Sequence, residues 1–152
     1  MKKIRFVNLE FHDLKFKKKI ISRFNKILKH GKFILGPEVQ EMEKKISQFC
    51  KRKFCVGTAS GTDAIYLALR ALDIGNGDEV ITSPMTWVSS TNSIIMNNAK
   101  PVFVDIKNDL NIDENKIEKS ITKKTKAILY VNYTGKIANT QKIKAIVSTN
   151  IQ

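Results

Sequence analysis

The stretch Phe54-Cys55-Val56-Gly57-Thr58-Ala59-Ser60-Gly61-Thr62-Asp63 decides how the rest of the chain reads. Four strand-forming residues run into a tight turn of small residues, and an apolar-periodic segment opens at Gly61. The spacing predicts a strand over 54–57, a turn at Thr58-Ala59-Ser60-Gly61, and a helix over 61–72 with Ile65, Leu69 and Leu72 turned inward. The pattern then repeats downstream. Asp73 to Asp78, containing Gly75 and Gly77, reads as a loop. Glu79-Val80-Ile81-Thr82 reads as a strand ended by Pro84, and 87–97 as a helix. Pro101-Val102-Phe103-Val104-Asp105 is a further strand, Ile112 to Ile121 a helix, and Ala127-Ile128-Leu129-Tyr130-Val131 a strand. Strand and helix in alternation predict an α/β fold with a mostly parallel sheet, flanking helices and right-handed crossovers.

Upstream the texture differs. Residues 14–30 carry Ile20, Phe24, Ile27 and Leu28 on one helical face and lysines on the other, and Gly31 stops the helix. Pro37 suits the first turn of a second helix, Glu38 complements its dipole, and Val39, Met42, Ile46 and Phe49 form its apolar stripe. The expected organisation is one partial domain over 1–152, with N-terminal helices at 1–52 and an incomplete βαβ core at 53–152. No internal repeat or linker interrupts it.

The composition narrows the class. The 152 residues are 42% apolar and 27% charged, with 7 glycines and 3 prolines, which excludes collagen-like, low-complexity and disordered chains. No apolar run approaches the ~20 residues that a membrane span needs. The opening Met1-Lys2-Lys3-Ile4-Arg5-Phe6 is basic like a secretory signal. Asn8, Glu10, His12 and Asp13 break the apolar stretch that a signal would need next, so export is not expected. Two cysteines without export imply a reducing, cytoplasmic setting and no disulfide framework. The net charge of +13 is unevenly spread: residues 1–53 hold 16 bases and 5 acids, 54–105 hold 2 and 5, and 106–152 hold 9 and 4. A basic N-terminal face could serve nucleic acid or an anionic surface. The lysines lack interleaved aromatics or arginine clusters, which argues instead for a solvated surface.

In parallel sheets ligands gather at the carboxyl ends of strands, so the loops after residues 57, 83 and 131 hold the candidates. At the first, amides at a helix N-terminus point outward and the dipole favours an anion. Gly61 would admit a phosphate, and the Ser60 and Thr62 hydroxyls could add donors. The plainer reading is a helix cap, with Ser60 as N-cap and Asp63 three residues on. Neither a Walker loop nor the Gly-x-Gly-x-x-Gly dinucleotide turn is present. At the second, Ser83-Pro84-Met85-Thr86-Trp87 holds the only tryptophan, whose indole could stack on a planar heteroaromatic ring or simply pack in the core. At the third, Asn132 and Tyr133 could face a substrate, or Asn132 to Gly135 could be turn chemistry with Gly135 at positive φ. Asp105 could be a ligand-end carboxylate or a cap of the next turn. Cys50 and Cys55 lie five apart with no second pair, and His12 and His30 are distant, so partly buried thiols are expected rather than a zinc site. Two histidines and no Gly-x-Ser-x-Gly elbow give no serine triad.

Taken together, these segments resemble the DegT/StrS family of pyridoxal-phosphate-dependent sugar aminotransferases. The resemblance is carried by Gly31-Lys32-Phe33-Ile34-Leu35-Gly36-Pro37-Glu38-Val39, by Val56-Gly57-Thr58-Ala59-Ser60-Gly61-Thr62-Asp63-Ala64 and by Leu67-Ala68-Leu69. It continues through Gly77-Asp78-Glu79-Val80-Ile81-Thr82, Met85-Thr86-Trp87-Val88 and Pro101-Val102-Phe103-Val104-Asp105-Ile106, and ends with Ile121-Thr122-Lys123-Lys124-Thr125-Lys126-Ala127-Ile128 and Gly135. These pieces lie in family order over roughly residues 31–143. The resemblance implies the N-terminal part of the large domain of a fold type I aminotransferase, working as a homodimer. It implies pyridoxal 5'-phosphate as cofactor, an amino donor such as glutamate, and a keto sugar on a nucleotide as acceptor, in polysaccharide or cell-surface sugar biosynthesis. Gly61 and Thr62, with Ser60 beside them, then look like the phosphate cup, and Trp87 like the residue stacking on the ring.

The departures carry equal weight. Such enzymes are more than twice this length. The aspartate that pairs with the pyridine nitrogen and the Schiff-base lysine of a Ser-x-x-x-x-Lys-type stretch would both follow Gln152. The tail Ile146-Val147-Ser148-Thr149-Asn150-Ile151-Gln152 does not resemble the family, and Asn132 stands where many members have His. The expectation is therefore a truncated chain without a catalytic residue, inactive alone, from a frameshift, a premature stop or a split gene. The rivals are one half of a split enzyme and a basic binding module.

Overall fold

The computed structural model describes residues 6–7, 10 and 13–151, which fall into two compact units, Met1–Gly57 and Thr58–Gln152. In the first unit, α1 spans Leu14–His30. Asp13 caps it, its Oδ1 accepting from the amides of Lys15 at 2.8 Å and Phe16 at 3.1 Å. Gly31 closes it at φ 67°, a left-handed turn that a side chain would strain. The second helix, α2, spans Pro37–Phe49 with proline in its first turn. Arg23 of α1 grips Glu41 of α2 through both guanidinium nitrogens at 2.5 and 3.2 Å, and Lys45 donates to the same carboxylate at 2.6 Å. These contacts hold Glu41 well below the usual carboxylate range, at about 2.

The strand expected over 54–57 does not form. A strand exists only where a neighbour supplies a hydrogen-bond ladder, and among the described residues none pairs with this segment. Its tie is instead a side chain: Gly57 N donates to Glu43 Oε1 at 2.7 Å. Phe54 and Val56 are both 76% exposed.

The second unit runs α3 (Gly61–Ala71), β1 (Glu79–Thr82), α4 (Ser89–Met96), β2 (Lys100–Phe103), α5 (Glu114–Ile117), a 3-10 turn at Glu118–Ser120, β3 (Thr125–Leu129) and α6 (Thr140–Asn150). The three strands form a parallel sheet in the order β2-β1-β3. Successive residues of a strand face opposite ways, and β1 uses both faces. Val80 packs with Leu69, Ile74, Ile94 and Ala99, while Ile81 packs with Val104, Ile112, Ile117, Ala138, Ile143 and Ile146. Helices thus cover the sheet on both sides, which is why all four residues of β1 are buried.

At the amino end of the sheet, buried Glu79 ties the strands together. Its Oε1 accepts from Lys100 Nζ at 3.1 Å, the register partner on β2, and its Oε2 from Thr122 Oγ1 at 2.7 Å, just before β3. Several boundaries differ from expectation. The strand expected over 101–105 is β2, which ends at Phe103, and the last strand sits two residues earlier, at Thr125–Leu129, because its ladder to β1 runs from Thr125 opposite Glu79 to Leu129 opposite Thr82, with a bulge after the first pair. The helix expected over 112–121 is shortened to α5 and the 3-10 turn, because Ile112 bridges antiparallel to Ile106 and Asp113 becomes the cap. The unforeseen α6 is capped by Asn139, whose Oδ1 accepts from Lys142 N at 3.1 Å.

Candidate functional site

The carboxyl end of β1 and the N-terminus of α3 bring the first two candidate loops together. Ser60 is the N-cap of α3: its Oγ accepts from Asp63 N at 3.1 Å, and its carbonyl from Ala64 N at 3.0 Å. The cap expected from the sequence is therefore real, and it leaves the amides of Gly61 and Thr62 without an acceptor among the described residues. A Cβ placed on Gly61 would meet nothing within 4 Å, so the space before these amides is open.

The Thr62 hydroxyl is not free as a donor. Its Oγ1 donates to Ser89 Oγ, in the first turn of α4, at 2.9 Å. Ser93 Oγ, on the next turn, donates to Thr62 O at 3.1 Å, and Asn97 Nδ2 donates to Tyr66 O at 3.1 Å. Ser89, Ser93 and Asn97 recur every four residues and line one face of α4. Trp87 stands two residues before Ser89 and is 76% exposed among the described residues. The short loop holding it is pinned by a 2.9 Å hydrogen bond between Thr86 Oγ1 and Ser90 Oγ and by Ser90 N donating to Trp87 O at 3.0 Å.

The other candidates resolve into local structure. Asn132 Oδ1 accepts from Ala138 N at 3.0 Å, and Gly135 sits at φ 79° and donates to Asn132 O, so this segment is a turn with Tyr133 half-exposed. Asp105 caps its own turn, accepting from Ile106 N at 2.8 Å and Lys116 Nζ at 2.9 Å; the lysine holds its carboxyl below the ordinary range. Cys50 is exposed rather than partly buried, and Cys55 is half-buried. His30 Nε2 lies 3.3 Å from Glu38 Oε1, and His12 lies outside the described residues. A cleft of about 670 Å³, lined in part by Lys107, Asp109 and Lys136, adjoins the turns at Asp105 and Gly135. Its charges are already paired, Lys107 with Glu114 at 2.8 Å and Lys136 with Asp109 at 3.5 Å. Among the described residues no helix is long and apolar enough to cross a membrane. The residues that sequence reasoning missed are Ser89, Ser93 and Asn97, whose four-residue spacing was the available signal.

The second unit is a parallel α/β unit with helices on both faces of its sheet, and comparison with known proteins narrows its class. Residues 15–150 match the DegT/DnrJ/EryC1/StrS aminotransferase family, and the chain belongs to that family. The match extends beyond 31–143 at both ends and takes in most of the tail that had appeared unrelated. The chain is 40% identical over 146 residues to UDP-2-acetamido-2-deoxy-3-oxo-D-glucuronate aminotransferase of Pseudomonas aeruginosa, covering 95% of this chain and 41% of that protein. It is 42% identical over 145 residues to dTDP-3-amino-3,6-dideoxy-alpha-D-galactopyranose transaminase of Aneurinibacillus thermoaerophilus, covering 94% and 40%. Among solved structures, the PLP-form of the sugar aminotransferase Spr1654 from Streptococcus pneumoniae superposes with a TM-score of 0.81 at 33% identity, over 85% of this chain and 33% of that one. The chain thus spans about two fifths of the length of the curated relatives it matches.

Proposed function

We propose that this chain is the cofactor-phosphate-holding, N-terminal part of a pyridoxal 5'-phosphate-dependent aminotransferase acting on a nucleotide-linked keto sugar. The observation that carries the reading is the pair of open amides at Gly61 and Thr62, joined by the Thr62–Ser89 hydrogen bond to the loop presenting Trp87. Amides at a helix N-terminus suit a phosphate, and an exposed indole suits the face of a pyridine ring. Ser60 holds the first turn of α3 in shape, Gly61 leaves room for the approach, and Trp87 would fix the plane of the ring. When bound, the cofactor supplies an electron sink for moving an amino group.

The activities named for the relatives favour a sugar attached to a nucleotide; glutamate as donor and a homodimer as the working assembly are carried over from the family resemblance alone. Two free cysteines suit a reducing cytoplasm. The resemblance assigns no lysine or carboxylate among the described residues to the imine or the ring nitrogen, so binding without turnover is the reading for these residues alone. Calorimetry with pyridoxal 5'-phosphate and pyridoxal tests the proposal. The phosphorylated form is expected to bind more tightly; equal affinities would sink the phosphate assignment.

A further inference from the structure

The face of α4 turned to α3 carries small polar side chains where an apolar stripe would be ordinary. Ser93 is fully buried and Asn97 is 2% exposed, and both bond backbone carbonyls of α3, at Thr62 and Tyr66. Asn97 also donates to Ser93 O at 2.8 Å, so this end of the contact is structural. Ser89 differs. Its partner is a side chain, the Thr62 hydroxyl, and that hydroxyl lies beside the open amides of Gly61 and Thr62.

A threonine hydroxyl has one hydrogen and two lone pairs, and so has a serine hydroxyl. While Thr62 donates to Ser89, its hydrogen is unavailable to an anion at the α3 terminus. If Ser89 donates instead, Thr62 Oγ1 accepts and its hydrogen is released toward the anion, with no heavy atom moved. We infer that Ser89 is a positioning residue for the phosphate end of the site, holding the Thr62 hydroxyl in place and exchanging donor and acceptor roles with it when an anion arrives. The inference rests on the proposed cofactor reading and adds a residue to it.

The test compares the full chain with Ser89→Ala, Ser89→Thr and Ser93→Ala. Affinities for pyridoxal 5'-phosphate and pyridoxal are measured by calorimetry, and the fluorescence of Trp87, the only tryptophan, reports the ring end. Ser89→Ala is expected to lower the preference for the phosphorylated form by about three- to ten-fold, the worth of one hydrogen bond. Pyridoxal affinity and the Trp87 quench at saturation should stay as in the parent. Ser89→Thr restores the hydroxyl and the preference. Ser93→Ala lowers the melting temperature and leaves the preference intact. An unchanged preference in Ser89→Ala, or an equal loss in Ser93→Ala, overturns the inference while the cofactor reading stands. A parent chain with no preference for the phosphorylated form overturns both.

Discussion

Thr62 Oγ1 lies 2.9 Å from Ser89 Oγ, and this hydrogen bond joins two loops that are 27 residues apart in sequence. It makes the capped first turn of α3 and the tryptophan-bearing entry to α4 parts of one arrangement. Neither loop is informative alone, since a capped helix and an exposed indole are each ordinary.

Gly61 separates binding from folding. Its added Cβ would meet nothing within 4 Å, so Gly61→Val should leave the urea midpoint near that of the parent. The same side chain would fill the space in front of the open amides. Affinity for pyridoxal 5'-phosphate should therefore fall by at least about ten-fold, with pyridoxal little affected. A matched loss of stability and affinity would argue against an approach path at this glycine.

Acid should loosen the sheet through Glu79. The hydrogen bond from Thr122, and then that from Lys100, hold its carboxyl below the ordinary value of 4.5, against the opposing push of burial. A carboxylate with a lowered folded-state pKa contributes stability that is complete above the unfolded value and fades as pH falls through the folded one. Urea midpoints should thus decline on acidification below about pH 4.5. Glu79→Gln should lower the midpoint at neutral pH and flatten that decline. An acid profile identical in parent and variant would remove Glu79 from the account.

Turnover is the third expectation. The 152-residue chain, saturated with pyridoxal 5'-phosphate and given glutamate, should release no 2-oxoglutarate above background. Borohydride trapping at stoichiometric cofactor and peptide mapping should scatter the label over several lysines. A single labelled lysine, lost in Trp87→Ala and accompanied by amino transfer, would show that a residue such as Lys136 had been recruited.

Self-association is the fourth. Phe33, Ile34 and Leu35 are 66%, 85% and 79% exposed as three consecutive apolar residues in the first unit, and Phe103 on β2 is 52% exposed. Exposed apolar surface and unpaired strand edges favour association. Sedimentation velocity should show species heavier than a monomer despite the net charge of +13. A single monomeric boundary with a cooperative melt would favour an independent module.

The sequence was most legible where structure is local. Asp13, Gly31 and Pro37 each fix a helix boundary through their own backbone or side chain, and α1 and α2 fall where those residues place them. Legibility fails where a partner decides. Residues 54–57 have strand composition and no ladder, and the bounds of β3 follow from its pairing with Glu79 to Thr82 of β1, which no property of Ala127 to Val131 announces. The oversight of α6 is different in kind, because Asn139 with Ile143, Ile146 and Val147 offered both a cap and a stripe. At the candidate site, the open approach at Gly61 and the exposure of Trp87 agree with their places after a turn and a strand. The engagement of Thr62 with Ser89 could not be read in this way, because it depends on the approach of two helices.

The central position of β1 sets the order in which the second unit opens. Its amides and carbonyls bond to strands on either side, and Val80 and Ile81 are fully excluded from solvent on opposite faces. No small fluctuation can bare such a strand, since either neighbour and both helical layers would have to part from it. In deuterium exchange the β1 amides are the ones that wait for global unfolding, and their rate is a measure of the stability of the whole unit. The turn at Gly61 and the Trp87 loop, each only a few residues from a solvent-facing end, exchange by local opening, so a ligand that closes there slows those amides directly, while the slowest ones slow only by the stability that binding adds to the whole unit.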